Sequence, residues 1–444
     1  MARGKKKESL TPEERLQAAL VPDWEQPYKV PENWCWVTLD SINQYQSSSI
    51  DPSKHPNDFF ELYSVPSSAD DYPEIAMGSE IGSTKQRVEK GDVLLCKINP
   101  RINRVWKVSQ YTENALLASS EWIIVRNPKI HSDYLMHCFR TPYFREYMLS
   151  NVSGVGGSLM RAQPKYVKTY PLPLPPLPEQ QRIVDRIESL FAKLDEAKQK
   201  AQDALDNFET RKAAILHKAF TGELTDQWRK EHGVGMESWA KKRFDEVATI
   251  KSSLVDPATF PDFPHIAPDN IEKKTGVLLE YNTVSEDGVT SGKHRFYPGQ
   301  ILYSKIRPYL SKVVVVDFDG LCSADMYPIE AKGNTKCLWY YMLSEEFLEQ
   351  ASTAGSRSVL PKINQKELSA LTVVLPTLSD EQTEIVRILD DLFAKEQQAK
   401  ETAEAVLEQI DLMKKSILAR AFRGELGTND PTEESAVELV KRLL

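Results

Sequence analysis

The chain is 444 residues long and carries 56 Lys and Arg against 64 Asp and Glu, a formal net charge of −8. That length supports roughly two to four domains with their own cores, and 41% hydrophobic with 27% charged residues is ordinary for a soluble globular protein. No apolar run reaches the roughly 18 residues that a membrane helix needs, and the acidic balance argues against chain-wide binding of nucleic acid, so any polyanion-binding face must be local.

In chain order, residues 1–30 form an extension. Thr11 as N-cap, Pro12 at the first helical position and Glu14 three residues after the cap predict a short helix ending near Val21 and Pro22. The basic start has no apolar stretch behind it and does not resemble a secretory signal. Five scattered cysteines (Cys35, Cys96, Cys138, Cys322 and Cys337) without a C-x-x-C fit reduced thiols in a cytoplasmic protein.

Residues 31–175 read as a first α+β domain. Segments 35–39, 91–98, 121–125 and 166–172 are predicted strands, 47–58 and 67–73 are predicted loops, and 132–151 has the apolar spacing of one helix capped by Ser132. Pro171, Pro173, Pro175, Pro176 and Pro178 then predict a break that continues neither a strand ladder nor a helix. Residues 176–228 hold a long helix over 179–220, with Ile183, Ile187, Leu190, Leu194, Ala197, Ala201, Leu205, Phe208, Ile215 and Ala219 in a coiled-coil stripe and Gly222 as its stop.

That helix is written twice. Residues 179–224 align without a gap to 381–426, with about 20 of 46 positions identical, LFAK at 190–193 and 392–395, and AFTGEL at 219–224 against AFRGEL at 421–426. Such a stripe needs a partner, and its own copy is the natural one. The copy lies in residues 377–427, and between the helices residues 236–376 repeat the first domain loosely. Gly91-Asp92-Val93-Leu94 answers Gly299-Gln300-Ile301-Leu302, Lys97-Ile98-Asn99-Pro100 answers Lys305-Ile306-Arg307-Pro308, and Ser120-Glu121-Trp122 answers Ala324-Asp325-Met326. Residues 428–444 read as a short amphipathic helical tail that docks a partner.

Two divergent globular domains, a proline-rich junction before Glu-Gln, and a long helix closing on AFxGEL, all repeated once, resemble the specificity (S) subunit of type I restriction–modification systems. The resemblance covers about residues 31–427; the second junction departs mildly, with one extra residue before Glu381. It implies an α+β fold with two target recognition domains, each an α/β globule, separated by two long antiparallel coiled-coil helices in a pseudo-two-fold repeat. It further implies a non-catalytic subunit in which each domain reads one half of a bipartite, asymmetric site in double-stranded DNA. The paired helices would set the spacer and dock two modification (methyltransferase) subunits, and restriction/translocase subunits would complete the complex. S-adenosylmethionine, ATP and magnesium belong, on this resemblance, to those partner subunits and not to this chain. A recognition subunit of another methyltransferase-nuclease system and a protein-only coiled-coil adaptor are the competing expectations.

Candidate DNA contacts follow from chemistry, because phosphates call for cations while base edges call for Arg, Asn and Gln. In the first domain they are Lys97, Asn99, Arg101, Arg104 and Lys107, then Ser158, Arg161, Gln163 and Lys165 beyond a glycine-rich stretch at 154–157. The matching set in the second is Lys305, Arg307, Tyr309 and Lys312, then Ser356, Arg357, Lys362 and Asn364. Any one of these is as well explained as an ordinary solvated residue.

Catalytic motifs are not evident. Ser291-Gly292-Lys293-His294 lacks the preceding glycine and following hydroxyl of a phosphate loop. Neither Asn99-Pro100-Arg101 nor Asn127-Pro128-Lys129 supplies an amino-methyltransferase tetrad. Pro261-Asp262 with Glu272-Lys273-Lys274 is only a loose outline of a nuclease signature, in a stretch better read as a recognition loop. His131, His137 and Cys138 lack a second ligand pair, so no metal site is expected there.

Overall fold

The computed structural model describes residues 10–154, 160–354 and 361–444. The chain divides into two compact units, residues 1–200 with 406–444 and residues 201–405. The division falls inside both long helices, so each unit combines one globular domain with part of each helix.

In the first unit a three-stranded sheet runs Val105–Lys107, Val93–Cys96, Trp122–Val125, and a five-stranded sheet runs Ser49–Ile50, Lys85–Arg87, Ala115–Ala118, Phe59–Tyr63, Glu74–Met77. Only Phe59–Tyr63 and Ala115–Ala118 pair in parallel in that larger sheet. The second unit repeats the plan. Its four-stranded sheet runs Ala248–Ile250, Met326–Ala331, Ile301–Ser304, Val313–Val315, and its five-stranded sheet runs Leu254–Val255, Lys293–Phe296, Gly320–Cys322, Pro264–Ile266, Asn282–Thr283, again with one parallel pair.

The unbroken apolar run at 93–96 has a direct cause. Val93 and Leu95 enter the core against the helices, while Leu94 and Cys96 enter a separate core that also holds Trp106 and Trp122. Ile301 and Tyr303 likewise face one core and Leu302 another. A strand buried on both faces cannot alternate with polar residues, and each fully buried Val or Leu contributes about 1.5–3 kcal/mol.

Several expected elements differ. The strand expected over 166–172 begins instead in a helical turn, Pro164–Val167, and the predicted helix 132–151 is two helices, Ser132–Phe139 and Pro142–Ser150. Thr141 ends the first and caps the second by accepting from Phe144 N at 3.1 Å. The proline-rich stretch does join a ladder: Pro171–Leu174 pairs antiparallel with Cys35–Thr38. Its prolines tolerate this because they fall at every second position. Tyr170 O accepts from Leu39 N, whereas Pro173 O accepts from Tyr134 Oη, so the proline positions point away from the partner strand. In the second unit the equivalent strand Trp239–Arg243 pairs with Thr372–Pro376 in the same register, and its outer edge presents exposed Lys241, Lys242 and Arg243, charges that discourage further strand addition.

The first long helix is also interrupted. Leu177–Asp206 and Phe208–Phe220 meet at Asn207, whose Nδ2 donates to Asp203 O at 2.7 Å, whereas Ser379–Ala421 runs unbroken for 43 residues with Gln409 at the matching place. Within the first unit Ile183, Val184 and Ile187 share a core with Leu418, Ala421 and Phe422, and Lys414 pairs with Asp195 at 2.5 Å. Within the second, Leu216, Ala219 and Phe220 share a core with Ile385 and Leu389, and Arg211 pairs with Glu396 at 2.9 Å. Low numbers meet high numbers in each unit, which is antiparallel pairing.

Each helix begins on a fully buried glutamate. Glu381 accepts from Trp239 Nε1 at 2.9 Å, Thr225 Oγ1 at 2.9 Å and Arg229 Nη1 at 2.8 Å. Glu179 accepts from Trp34 Nε1 at 2.7 Å and Asn429 Nδ2 at 2.9 Å, with Thr428 in place of Thr225 and, among the described residues, no cation bonded to it. The C-terminal segment, through Thr428 and Asn429, thus takes in the first unit the place that Thr225 and Arg229 take in the second. This corrects the expectation that the tail docks a partner: Ala436, Leu439 and Val440 of helix Ala436–Leu443 are buried in the first unit's own core. The N-terminal helix Pro12–Ala19, with the expected capping box between Thr11 and Glu14, packs beside it.

All five cysteines are buried free thiols, and burial pushes Cys35 and Cys337 up to about 12, which leaves them unreactive. His137 is 4% exposed, with both ring nitrogens unpartnered and its ring edge-on to Phe191. Burial first, and the charge of Arg140 second, hold its pKa down to about 4. His137 is therefore neutral in the fold but charged in the unfolded chain below about pH 6.5, so stability is complete above that pH and falls as pH drops toward 4. Over that window the first unit is expected to lose about 3 kcal/mol, and His137→Leu to remove that loss, in urea unfolding followed against pH. Identical pH profiles for the two proteins would refute this.

Candidate nucleic-acid interface

After the central strand of each smaller sheet the chain makes the same unusual turn. Asn99 (φ 46°) and Asn103 (φ 52°) flank the short helical turn Pro100–Ile102; Arg307 (φ 48°) and Ser311 (φ 46°) flank Pro308–Leu310. Left-handed backbone costs an L-residue about 1–2 kcal/mol; Asn tolerates it, and Arg and Ser must be held there. The hold comes from the segment that follows residues 155–159 and 355–360. Asn99 N donates to Met160 O and Ala162 N to Lys97 O, both at 2.8 Å. In the second unit Arg307 N donates to Pro361 O at 2.7 Å and Ile363 N to Lys305 O at 2.9 Å.

These bonds bring together candidates that stand about 60 residues apart in sequence. Arg161 bridges Ile98, and Lys362 bridges Ile306. Each of these cations is steadied by an acid that was not among the expected site residues: Arg161 by Glu121 at 3.2 Å, Lys362 by Asp325 at 3.3 Å. The signal for that pair was the echo of Ser120-Glu121-Trp122 in Ala324-Asp325-Met326.

The candidates separate by what their side chains already do. Lys107 is paired with Asp133 at 2.5 Å, and Lys312 donates to Pro268 O at 2.7 Å beside Asp269. Lys305 donates to Ala324 O at 2.6 Å and lies over the Tyr327 ring. Asn364 caps the helix Gln365–Ser369, Gln163 sits at the N-cap of Pro164–Val167, and Lys165 lies over the exposed Tyr166 ring. Arg104 lies beside the Cys96 thiol. By contrast Lys97, Arg101, Arg307 and Tyr309 have no side-chain hydrogen bond or ion pair among the described residues, and Arg101, Arg307 and Tyr309 are exposed. Ser158, Ser356 and Arg357 lie outside the described residues.

The second unit also presents Arg295 against the rings of Phe260, Phe263 and Tyr297, a cluster not singled out from sequence. Exposed Tyr72 and Tyr111 meet in the first with tilted rings, centroids 4.6 Å apart. Lys293 opens a strand, so Ser291-Gly292-Lys293-His294 does not lead into a helix as a phosphate loop does. Among the described residues no group of three His, Cys, Asp or Glu is placed to hold a metal ion, and no helix is long and apolar enough to cross a membrane.

The model of the type I restriction modification DNA specificity domain matches residues 31–206 and again 236–409. The chain belongs to that family. Its two copies each cover one recognition-type domain and most of the helix that follows. Among curated members, the type I restriction enzyme EcoDI specificity subunit of Escherichia coli is 42% identical over 274 residues, 57% of this chain and 62% of that protein. The EcoKI specificity subunit of Escherichia coli (strain K12) is 24% identical over 326 residues, 67% of this chain and 66% of that protein. The chain thus aligns with a little under two thirds of the length of either relative. The HsdS subunit from Thermoanaerobacter tengcongensis has the same fold at a TM-score of 0.66 and 21% identity, covering 90% of this chain and all of that one. A chain from a study of complex assembly in a type I R-M system matches at a TM-score of 0.69, also at 21% identity, with the same coverage. The repeat here comprises globular domain and helix together.

Proposed function

We propose that this chain is the DNA-reading subunit of a type I restriction–modification complex, with each globular domain reading one half of a bipartite site. One observation carries the reading: both domains hold the same strained turn in the same backbone conformation, yet fill it with different side chains. Asn99, Arg101 and Asn103 stand where Arg307, Tyr309 and Ser311 stand. The Oδ1 atoms of Asn99 and Asn103 are buried, so the frame presents Arg101 in one copy and Arg307 with Tyr309 in the other, which suits readout of two different sequences, with guanine edges as natural targets of the arginines. Arg161 and Lys362, held by Glu121 and Asp325, supply positioned cations for the backbone.

The paired helices act in this reading as the spacer between half-sites and as the seat for two modification subunits. The gapless similarity of the helical copies agrees with each having to meet the other and identical partners. This chain is non-catalytic: S-adenosylmethionine, ATP and magnesium are bound by the partner subunits, and restriction subunits join in the full assembly. The complex works where its DNA substrate is, in the cytoplasm. A protein-only adaptor would give no reason for the matched, differently filled turns. The test is duplex binding by the chain assembled with its modification subunits. The expectation is a salt-dependent shift with a preferred sequence; binding without sequence preference would defeat the proposal.

A further inference from the structure

Beside the first unit's turn lies a cleft of about 450 Å³ lined by Ile102, Asn103, Arg140, Arg145, Leu149 and Lys415, with Pro142 and Glu146 completing its wall. Three cations face one acid there. None of Arg140, Arg145 and Lys415 forms an ion pair among the described residues, in a protein whose net charge is −8. Arg140 Nη2 donates to Val105 O at 3.0 Å and Arg145 Nη2 donates to Arg101 O, which fixes both guanidinium groups by backbone carbonyls and leaves their charge unneutralised. Asp71 and Asp133 act on Arg140 only through space, and Asp133 is already committed to Lys107. Arg145 Nε is buried without a partner. Lys415, from the second long helix, has no side-chain partner among the described residues and is exposed.

The second unit has a cleft at the matching place, and its chemistry is different. Leu343 stands for Arg140, Glu345 for Pro142, Leu348 for Arg145 and Ala213 for Lys415, and the space is about 180 Å³. Lys212, nearby, is occupied by Lys274 O and Thr275 O. A structural need common to both copies would have kept the same residues. The cations are therefore specific to the first unit, and guanidinium groups held in place beside a free ammonium match the oxygens of phosphate.

We propose that this cleft binds phosphodiester groups of the DNA duplex, giving the first domain a sequence-independent grip that the second lacks. The inference rests on the DNA-reading function proposed above and adds to it an asymmetry between the half-sites. It places Lys415, a residue of the spacer helix, in direct contact with DNA.

The test measures duplex affinity against salt for the assembled complex carrying wild-type chain, Lys415→Glu, or Arg145→Gln. Because Lys415 has no partner to lose, Lys415→Glu is expected to keep the wild-type melting temperature while affinity falls about three- to tenfold at low salt and the salt slope flattens by about 1. The preferred sequence should not change. An unchanged slope in both variants would overturn the grip, and a changed sequence preference would make the cleft a base reader instead. Inorganic pyrophosphate is the second probe. Tight binding of it that Lys415→Glu abolishes, with the DNA slope unaltered, would assign the cleft to a soluble phosphate and overturn the proposal. A wild-type complex with no sequence preference would instead count against the DNA-reading function itself.

Discussion

Glu381→Ala is expected to destabilise the second unit by about 3–5 kcal/mol, because it leaves the Arg229 guanidinium buried without its carboxylate. Arg229 is 5% exposed; its remaining bonds are to Gly222 O and Thr225 Oγ1, and Asp226 stands off at 3.8 Å. Trp239 Nε1 and Thr225 lose their acceptor in the same step. Glu179→Ala is expected to cost the first unit less, about 1–3 kcal/mol, because only neutral donors are orphaned. Arg182, which feels the Glu179 charge through space, is already held in two bonds by Glu433 at 2.8 Å and by Thr428 O. Replacing both Glu381 and Arg229 with Leu and Met should recover much of the loss. Urea unfolding followed by tryptophan fluorescence measures all three, and a Glu179→Ala protein at least as unstable as Glu381→Ala would contradict the assignment of the buried cation.

The second large effect concerns the helices. Asp195 with Lys414 and Arg211 with Glu396 set the antiparallel register, so residues whose numbers sum to about 608 stand opposite. Removing residues 197–203 together with 405–411 takes two turns from each helix and keeps the apolar stripe in phase. Two turns are about 10.5 Å of helix, or about three base pairs of duplex. The expected result is a methylated site whose half-sequences are unchanged and whose gap is shorter by about that amount. Mapping of the methylated bases in host DNA reads it directly. An unchanged gap in an active complex would remove the spacer role from these helices.

Much of the organisation is legible in the amino-acid sequence. The repeated helix, the capping box at Thr11 and the matched segments Lys97-Ile98-Asn99-Pro100 and Lys305-Ile306-Arg307-Pro308 are local patterns, and local patterns survive in a single sequence. The strands of the five-stranded sheets do not show, because Ser49–Ile50, Glu74–Met77 and Lys85–Arg87 are short and largely unburied, so no apolar alternation marks them. Pro171 and Pro173 hide a strand whose ladder needs only the amides between them. Asn207 hides a break because one side chain competing for a backbone carbonyl leaves the stripe intact. The site is half legible. Its cations can be named, but the separation of Lys97, Arg101 and Arg307 from the paired Lys107 and Lys312 depends on acids and carbonyls brought from other segments. The cleft at Arg140, Arg145 and Lys415 joins residues about 270 positions apart, which no motif scan connects.

The central claim is that the two domains read two different half-sites from one shared turn. It is tested most directly by competition binding of the assembled complex to duplexes in which one half of its mapped site is scrambled at a time. Arg307→Asn keeps a residue that tolerates left-handed backbone, as Asn99 does in the first copy, and changes only the presented side chain. The predicted result is that each scrambled half costs affinity, and that Arg307→Asn alters the preferred sequence in one half while the other is discriminated as before. A variant whose preference shifts in both halves, or in neither, would contradict the account.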